Sequence, residues 1–129
     1  MDRIDLQIEV APVTYEELAE LPPGESSASI RARVIRAREI QRRRFADDPD
    51  VFCNANMRPR DVARYCKLDK DAQRMLRDRL VELDLSARAY DRVLKVARTV
   101  ADLEGREAVQ VEDVDAAAGW RALDRSYWT

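Results

Sequence analysis

Apolar residues recur every three or four positions along most of this chain, which is the spacing of one face of an α-helix. This pattern predicts six helices, which begin near residues 15, 27, 60, 70, 87 and 112, with a loop over residues 47–57. The second helix is expected to end near residue 45 and the last near residue 127. Residues suited to helix ends accompany the pattern: Thr14, Ser26 or Ser27, Asp69 and Ser86 as N-caps, Pro59 in a first turn and Gly105 after the fifth helix.

The same spacing predicts which side chains face the core. The expected inward-facing residues are Ile30, Val34, Ala37, Gln41 and Phe45 on the second helix, Ala72, Met75, Leu76, Leu80 and Leu83 on the fourth, and Tyr90, Val93, Leu94, Ala97, Val100 and Ala101 on the fifth. We expect these stripes to pack against one another, which leaves the charged residues on the outside of the bundle.

Residues 4–10 have a different pattern, because apolar and polar positions alternate there with the period of a β-strand. A single strand cannot satisfy its own backbone hydrogen bonds, and the rest of the chain offers no second strand to pair with it. We therefore expect residues 1–12 to be a strand from the sheet of a larger protein. Residues 13–129 are expected to form the helical domain, so the predicted fold is an all-α bundle preceded by one extended strand segment.

The composition limits the kinds of catalytic and metal site that this chain can form. Charged residues make up 37% of the chain and only three glycines are present, which favours helix. The chain has no histidine, so it can form no Ser-His or Cys-His catalytic pair. Cys53 and Cys66 are too few to bind zinc, and we expect them to be reduced thiols in a cytoplasmic protein, with no metal site. We expect neither a membrane span nor a signal peptide, since no apolar run approaches ~20 residues.

Residues 31–44 hold seven arginines and one acidic residue, although the net charge of the whole chain is only −2. Arg31, Arg38 and Arg42 lie on one side of the predicted apolar stripe and are the candidate nucleic-acid contacts. The arginines are distributed around the helix, however, and the only nearby aromatic residue is Phe45. The alternative is that these long side chains cover the bundle and pair with its acidic residues.

Arg88 falls in the first turn of the helix that Ser86 caps. The helix dipole disfavours a cation at that end by a few tenths to ~1 kcal/mol, so the placement suggests that an anion meets it. Arg92, Lys95 and Thr99 follow on the same narrow strip, opposite the apolar face. The alternative is an ordinary solvated face, because the dipole effect is small and easily screened.

Six segments of the chain carry a recognisable pattern. They are Asp2-Arg3-Ile4-Asp5-Leu6, Gly24-Glu25-Ser26-Ser27-Ala28, Cys53-Asn54-Ala55-Asn56-Met57, Leu68-Asp69, the block over residues 85–105, and Val111-Glu112-Asp113-Val114. In this order they resemble the C-terminal region of magnesium-chelatase-like AAA+ ATPases. The resemblance covers nearly the whole chain, the block over residues 85–105 is its most specific part, and the most similar branch is the bacterial competence-associated one.

This resemblance implies that the chain is the helical lid of an AAA+ ATPase, a ring-forming motor that is expected to be a DNA-remodelling helicase. Motors that insert a metal into a porphyrin share this lid, so the sequence leaves both substrates open. Arg88 occupies the position of the sensor-2 arginine, which reaches the phosphates of ATP, with Arg92 and Lys95 beside it. Arg3 occupies a place where related ATPases carry an arginine finger. The implied partners are the AAA+ core of the same chain, neighbouring subunits of a homo-oligomeric ring, and DNA.

The resemblance also implies ATP and Mg2+ as ligands of the longer protein. This chain lacks Walker A and Walker B motifs, and no two of its glycines have the spacing of a phosphate-binding loop. By itself it is therefore expected to bind no cofactor and to catalyse no reaction. Two further hypotheses are a stand-alone DNA-binding module that uses residues 31–44, and a protein-interaction bundle that uses Trp120, Tyr127 and Trp128.

Overall fold

The computed structural model describes residues 4–121, and within them every regular element is a helix, with no β-strand. The helices are α1 (Tyr15–Glu20), α2 (Ser27–Arg44), α3 (Pro59–Tyr65), α4 (Lys70–Glu82), α5 (Ala87–Leu103) and α6 (Val111–Gly119). A single 3₁₀ turn covers Asn54–Asn56 in the loop between α2 and α3. The all-α prediction is therefore confirmed. No helix in residues 4–121 has the combination of length and apolar character needed to cross a membrane.

The predicted N-caps begin the helices as expected. The Thr14 hydroxyl accepts a hydrogen bond from the Glu17 amide at 3.2 Å, and the Glu17 carboxylate accepts one from the Thr14 amide at 3.3 Å. Ser26 and Asp69 accept from amides three residues ahead of them, at 3.1 and 2.8 Å. These bonds satisfy amides that have no partner inside a helix, which explains why each helix starts where it does.

Helix α5 is the centre of the bundle and contacts α2, α3, α6 and the 3₁₀ turn. Its buried apolar residues are Ala89, Val93, Leu94, Ala97 and Ala101. Three of these five are alanines, so neighbouring backbones can approach this helix closely. The predicted stripe is confirmed for the last four of these residues, whereas Tyr90 is 45% exposed.

The first half of α2 departs from the predicted stripe. Ala37, Gln41 and Phe45 are buried as expected, but Ile30 and Val34 are 43% and 45% exposed. The whole segment over residues 27–36 is exposed, so about 15 Å of helix projects from the bundle. The prediction was wrong for Ile30 and Val34 because a periodic pattern identifies residues that share a face, without showing what covers that face.

The C-terminal ends of α5 and α6 differ in how well they were predicted. Gly105 has a φ of +71°, and the amides of Gly105 and Arg106 donate to the carbonyls of Asp102 and Ala101, at 3.1 and 2.9 Å. This is a Schellman ending with glycine in the left-handed region, as its position predicted. Helix α6 ends at Gly119 with Trp120 as C-cap, before the predicted residue 127. Tyr127 and Trp128 lie outside the described residues.

Residues 4–10 form neither helix nor strand, and all of them except Gln7 are exposed. The Gln7 amide donates to the Trp120 carbonyl at 2.7 Å, and the Arg121 guanidinium donates to the Ile4 carbonyl at 2.7 Å. These two bonds attach the segment to the end of α6 but do not constitute a sheet. The assignment of residues 1–12 to the sheet of a larger protein stays a prediction, and Arg3 lies outside the described residues.

Candidate functional site

Arg88 is the second residue of α5, and its side chain is exposed. Within residues 4–121 its guanidinium makes no hydrogen bond or ion pair. The Ser86 hydroxyl caps the helix by accepting from the Ala89 amide at 3.4 Å. The structure therefore presents a cation to solvent at the positive end of a helix, where an anion would be favoured by both charges.

A sharp turn between α4 and α5 sets the position of Arg88. Asp84 has a φ of +50°, in the left-handed region that few residues other than glycine adopt. The Leu85 amide donates to the Leu80 carbonyl at 2.9 Å and the Asp84 amide to the Val81 carbonyl at 3.2 Å. These bonds terminate α4, and α5 begins only a few residues later. The short turn therefore fixes the position of the first turn of α5 relative to the end of α4.

The other cations of the predicted strip are already engaged. Arg92 forms an ion pair with Asp5 at 2.7 Å. The Lys95 ammonium donates to the Ala55 carbonyl at 3.4 Å, and the Thr99 hydroxyl donates to the Lys95 carbonyl at 2.9 Å. The helical wheel placed this strip opposite the apolar face, but the structure packs the 3₁₀ turn and the N-terminal segment against it. Of the strip's three cations, only Arg88 has no partner among residues 4–121.

A buried polar cluster that the sequence pattern did not predict is centred on Asp102. Its carboxylate has no solvent exposure and accepts two hydrogen bonds from Arg44, at 2.9 and 2.7 Å. Asn54 donates to it at 2.9 Å, and Arg98 lies 3.2 Å from it. Arg98 also donates to the carbonyls of Arg106 and Glu107, both at 2.8 Å.

The side chain and backbone of Asn54 connect this Asp102 cluster to the 3₁₀ turn. The backbone amide of Asn54 donates to the side-chain oxygen of Gln41 at 2.9 Å. Its side-chain nitrogen donates to Thr99 at 3.0 Å, and its side-chain oxygen accepts from Arg44 at 3.0 Å. Charge-assisted bonds of this kind have a restricted geometry. The cluster therefore fixes α5 relative to α2 and the 3₁₀ turn, and so fixes the helix that carries Arg88.

The charges in this cluster balance only in part. Burial lowers the pKa of Arg98, and the Asp102 carboxylate opposes that effect. Two guanidinium groups share one buried carboxylate. Arg98 also donates to backbone carbonyls, but its Nε is buried and has no hydrogen-bond partner within residues 4–121. A sequence signal did exist, because Arg98 and Asp102 directly follow the inward-facing residues Ala97 and Ala101. A charged residue at such a position needs a buried partner.

A second charged cluster holds the loop before α3. Arg58 contacts Asp48, and its Nε donates to Asp61 at 2.8 Å. The hydrogen bond from Arg58 lowers the pKa of Asp61, and the same contact raises the pKa of Arg58. The aspartate-rich turn over residues 47–50 is thus tied to the start of α3.

The arginine-rich helix divides into three groups. Arg44 belongs to the Asp102 cluster, whereas Arg33 and Arg42 pair with Glu25 and Glu39 at 2.8 and 2.9 Å. Arg31 and Arg38 are exposed and form no ion pair within residues 4–121. Two of the three candidate nucleic-acid contacts are therefore accessible cations, and the third is paired with an acid on its own helix.

The two cysteines are free thiols, with Cys66 buried and Cys53 half-buried. Burial raises the pKa of Cys66 to about 11, so its reactive thiolate form is disfavoured. In residues 4–121 no three His, Cys, Asp or Glu side chains come together as a metal site would require.

The chain matches one protein-family model and is similar to several known proteins. The pattern described as "Magnesium chelatase, subunit ChlI C-terminal" matches residues 24–121. "Uncharacterized protein YifB" of Salmonella typhimurium is 40% identical over 126 residues, and "Competence protein ComM" of Haemophilus influenzae is 41% identical over 127 residues. Both alignments cover 97% of this chain but 24% of the relative. "Uncharacterized protein Rv2897c" of Mycobacterium tuberculosis is 33% identical over 122 residues. The chain thus spans about a quarter of the length of these relatives.

Proposed function

Because this chain belongs to the family of the C-terminal domain of magnesium chelatase subunit ChlI, we propose that it is the helical lid of an AAA+ ATPase. The core that binds the nucleotide would be another part of the same polypeptide. The lid contributes Arg88 as the sensor-2 residue that contacts the ATP phosphates. The observation that supports this role is the exposed Arg88 guanidinium, without a partner in residues 4–121, at the start of α5.

The chemistry of Arg88 fits a triphosphate. A guanidinium presents a planar fork of donors that matches phosphate oxygens and stays charged at every physiological pH. Arg92 and Lys95 would have to leave Asp5 and the Ala55 carbonyl to take the same role, so we assign them a secondary contribution. We assign no Mg2+ ligand within the lid. Arg3 is proposed as an arginine finger on its sequence position alone.

The proposal is tested in the full-length protein by replacing Arg88 with alanine. We expect ATP hydrolysis to fall by about 10²-fold or more, because a donor aimed at developing phosphate charge is lost. The melting temperature should be unchanged, since the Arg88 side chain makes no contact that holds the fold together. Separate measurements of kcat and KM show whether the arginine acts mainly in the transition state or in binding.

Arg60 provides a matched control for this experiment. It is also an exposed arginine at the second position of a helix, α3, but it lies outside the predicted strip. Arg60→Ala should hydrolyse ATP at the wild-type rate. Wild-type turnover in Arg88→Ala, or an equal loss in both variants, would refute the sensor-2 role.

DNA binding is a second candidate function, supported by the exposed arginines of α2. We propose that Arg31 and Arg38, with Arg42 after release from Glu39, contact DNA phosphates, and that DNA is the substrate of the motor. Affinity should then fall with salt, with a log–log slope near −0.9 for each phosphate neutralised. Replacing all three arginines with alanine should make that slope shallower by about 3. Failure of the wild-type protein to bind duplex or single-stranded DNA at low salt would refute this function.

A further inference from the structure

Large apolar side chains are exposed on α1 and on both sides of it. Every residue of α1 is exposed, and the exposed fraction is 82% for Tyr15, 65% for Leu18 and 61% for Leu21. Soluble proteins rarely leave such a cluster of apolar side chains uncovered unless a partner binds it. No role for this helix is predicted by the sequence pattern.

Helix α1 is strongly amphipathic despite its short length. At 100° per residue, Tyr15, Leu18 and Leu21 fall on one side of the helix. Glu16, Glu17 and Glu20 fall together on the other side, and no basic residue lies in the helix. A site for α1 must therefore combine an apolar floor with a basic rim.

A groove of about 1030 Å³ between α3, α4 and α5 has this combination. Its apolar lining combines Val62, Leu76 and Leu94, which are buried in the core, with the half-buried Leu80 and the exposed Tyr90. Val81, at its edge, is one of the most exposed apolar residues in the described part of the chain, with 78% of its surface accessible. The groove runs along α4, which is about 20 Å long, so a helix of two turns fits beside it.

The charge on the rim of this groove is opposite to that of α1. Lys67, Lys70, Arg74 and Arg77 line the rim, and Asp91 is the only acidic residue among the lining residues. Within residues 4–121 none of these four cations forms an ion pair. Four cations around an apolar floor are therefore available to an acidic amphipathic helix.

We propose that α1 of one copy of this chain docks in the α3–α4–α5 groove of a second copy. Its apolar face would cover Leu80 and Val81, and its glutamates would pair with the rim cations. No residue of α1 is among the lining residues of the groove in its own copy, which favours a groove on another molecule. The two surfaces differ, so the contact is head-to-tail and can close a ring or continue as a filament. This inference does not depend on the ATP site.

Charge reversal tests the contact, with sedimentation velocity as the measurement. Wild-type protein should associate as its concentration rises, and less so at high salt because rim charges are screened. Glu16→Lys/Glu20→Lys should abolish the association, as should Arg74→Glu/Arg77→Glu. A mixture of the two variants should associate again, because each then meets a partner of opposite charge.

Arg36→Glu/Arg43→Glu is the matched control, because both arginines are exposed on α2 and lie outside the groove. This variant should associate like the wild type. All of these substitutions are at exposed positions, so circular dichroism should show an unchanged melting temperature. A wild-type protein that stays monomeric up to its solubility limit, or association that survives either charge reversal, would overturn the proposal.

Cross-linking distinguishes docking between copies from docking within one copy. In a Cys53→Ser background, chains that carry Leu18→Cys should form a covalent dimer with chains that carry Val81→Cys. Leu103→Cys, at an apolar position on α5 that is 41% exposed, should not react when it replaces Val81→Cys. If Leu18→Cys and Val81→Cys on one chain give only an internal disulfide, α1 docks in its own groove and the proposal is wrong.

Discussion

Two arginines on α5, ten positions apart, have opposite environments. Arg88 is exposed and has no partner within residues 4–121, whereas Arg98 retains 4% of its side-chain exposure and contacts Asp102 and three carbonyls. A guanidinium that is enclosed by acceptors stabilises a particular arrangement of helices. One that faces solvent costs little in stability and is available to a ligand.

At the residue scale, the Asp102 cluster predicts a large effect of a small change. Asp102→Asn keeps the shape of the side chain but leaves Arg44 and Arg98 without a buried counter-charge. We expect the free energy of unfolding, measured with urea, to fall by about 3–5 kcal/mol. Asp78→Asn, at an exposed position on α4, should change it by less than about 0.5 kcal/mol. Similar small losses in both variants would contradict the structural role of the cluster.

The buried thiol of Cys66 predicts a pH effect on stability. Its pKa is raised from 9.0 to about 11 by burial, so the unfolded state releases this proton before the folded state does. The stabilisation is therefore complete below pH 9 and is lost as the pH rises towards 11. The free energy of unfolding should fall more steeply over this range in wild type than in Cys66→Ala. Equal slopes would show that the folded thiol titrates normally.

At the element scale, local rules explain where the helices begin and end. The caps at Thr14, Ser26 and Asp69 and the glycine after α5 depend only on neighbouring residues, so the sequence predicted them correctly. The turn between α4 and α5 was not predicted, because an aspartate carries a much weaker signal than glycine for a left-handed conformation.

The strained turn at Asp84 allows a test with two opposite substitutions. Asp84→Gly removes the steric cost of the left-handed backbone, so we expect the protein to be as stable as wild type or up to about 1 kcal/mol more stable. Asp84→Val adds a β-branched side chain at this φ and should destabilise it by about 1–2 kcal/mol. Thermal unfolding measures both. A valine variant as stable as the glycine variant would contradict the left-handed conformation.

At the scale of the whole molecule, the chain has a packed body and a projecting N-terminal part. The body is assembled around α5, while α1 and the first ten residues of α2 contribute no buried side chain. An isolated helical segment of this length has little stability in water. Helix α1, which has only six residues, would therefore be stabilised by a partner, and a second copy of the chain is the partner that we propose.

This difference predicts uneven hydrogen exchange along the chain. In dilute protein, where association is weak, amides of residues 27–36 should exchange by local opening, much faster than those in the middle of α5. The slowest α5 amides should report the free energy of global unfolding. Raising the concentration should slow exchange in α1 if it docks on another copy. Equal protection of both regions in dilute protein would show that the first half of α2 is covered.

The amino-acid sequence by itself determined the helical class, most helix boundaries and the prominence of Arg88, because capping and periodicity act within a few residues. It could not show which faces find a partner. Only the tertiary structure showed that Asp102 contacts Arg44, Arg98 and Asn54. It also showed that Arg92 pairs with Asp5 and that Ile30 and Val34 are exposed. These outcomes depend on contacts between residues far apart in the chain. Whether a side chain is buried or paired is decided by the residues that other elements place next to it.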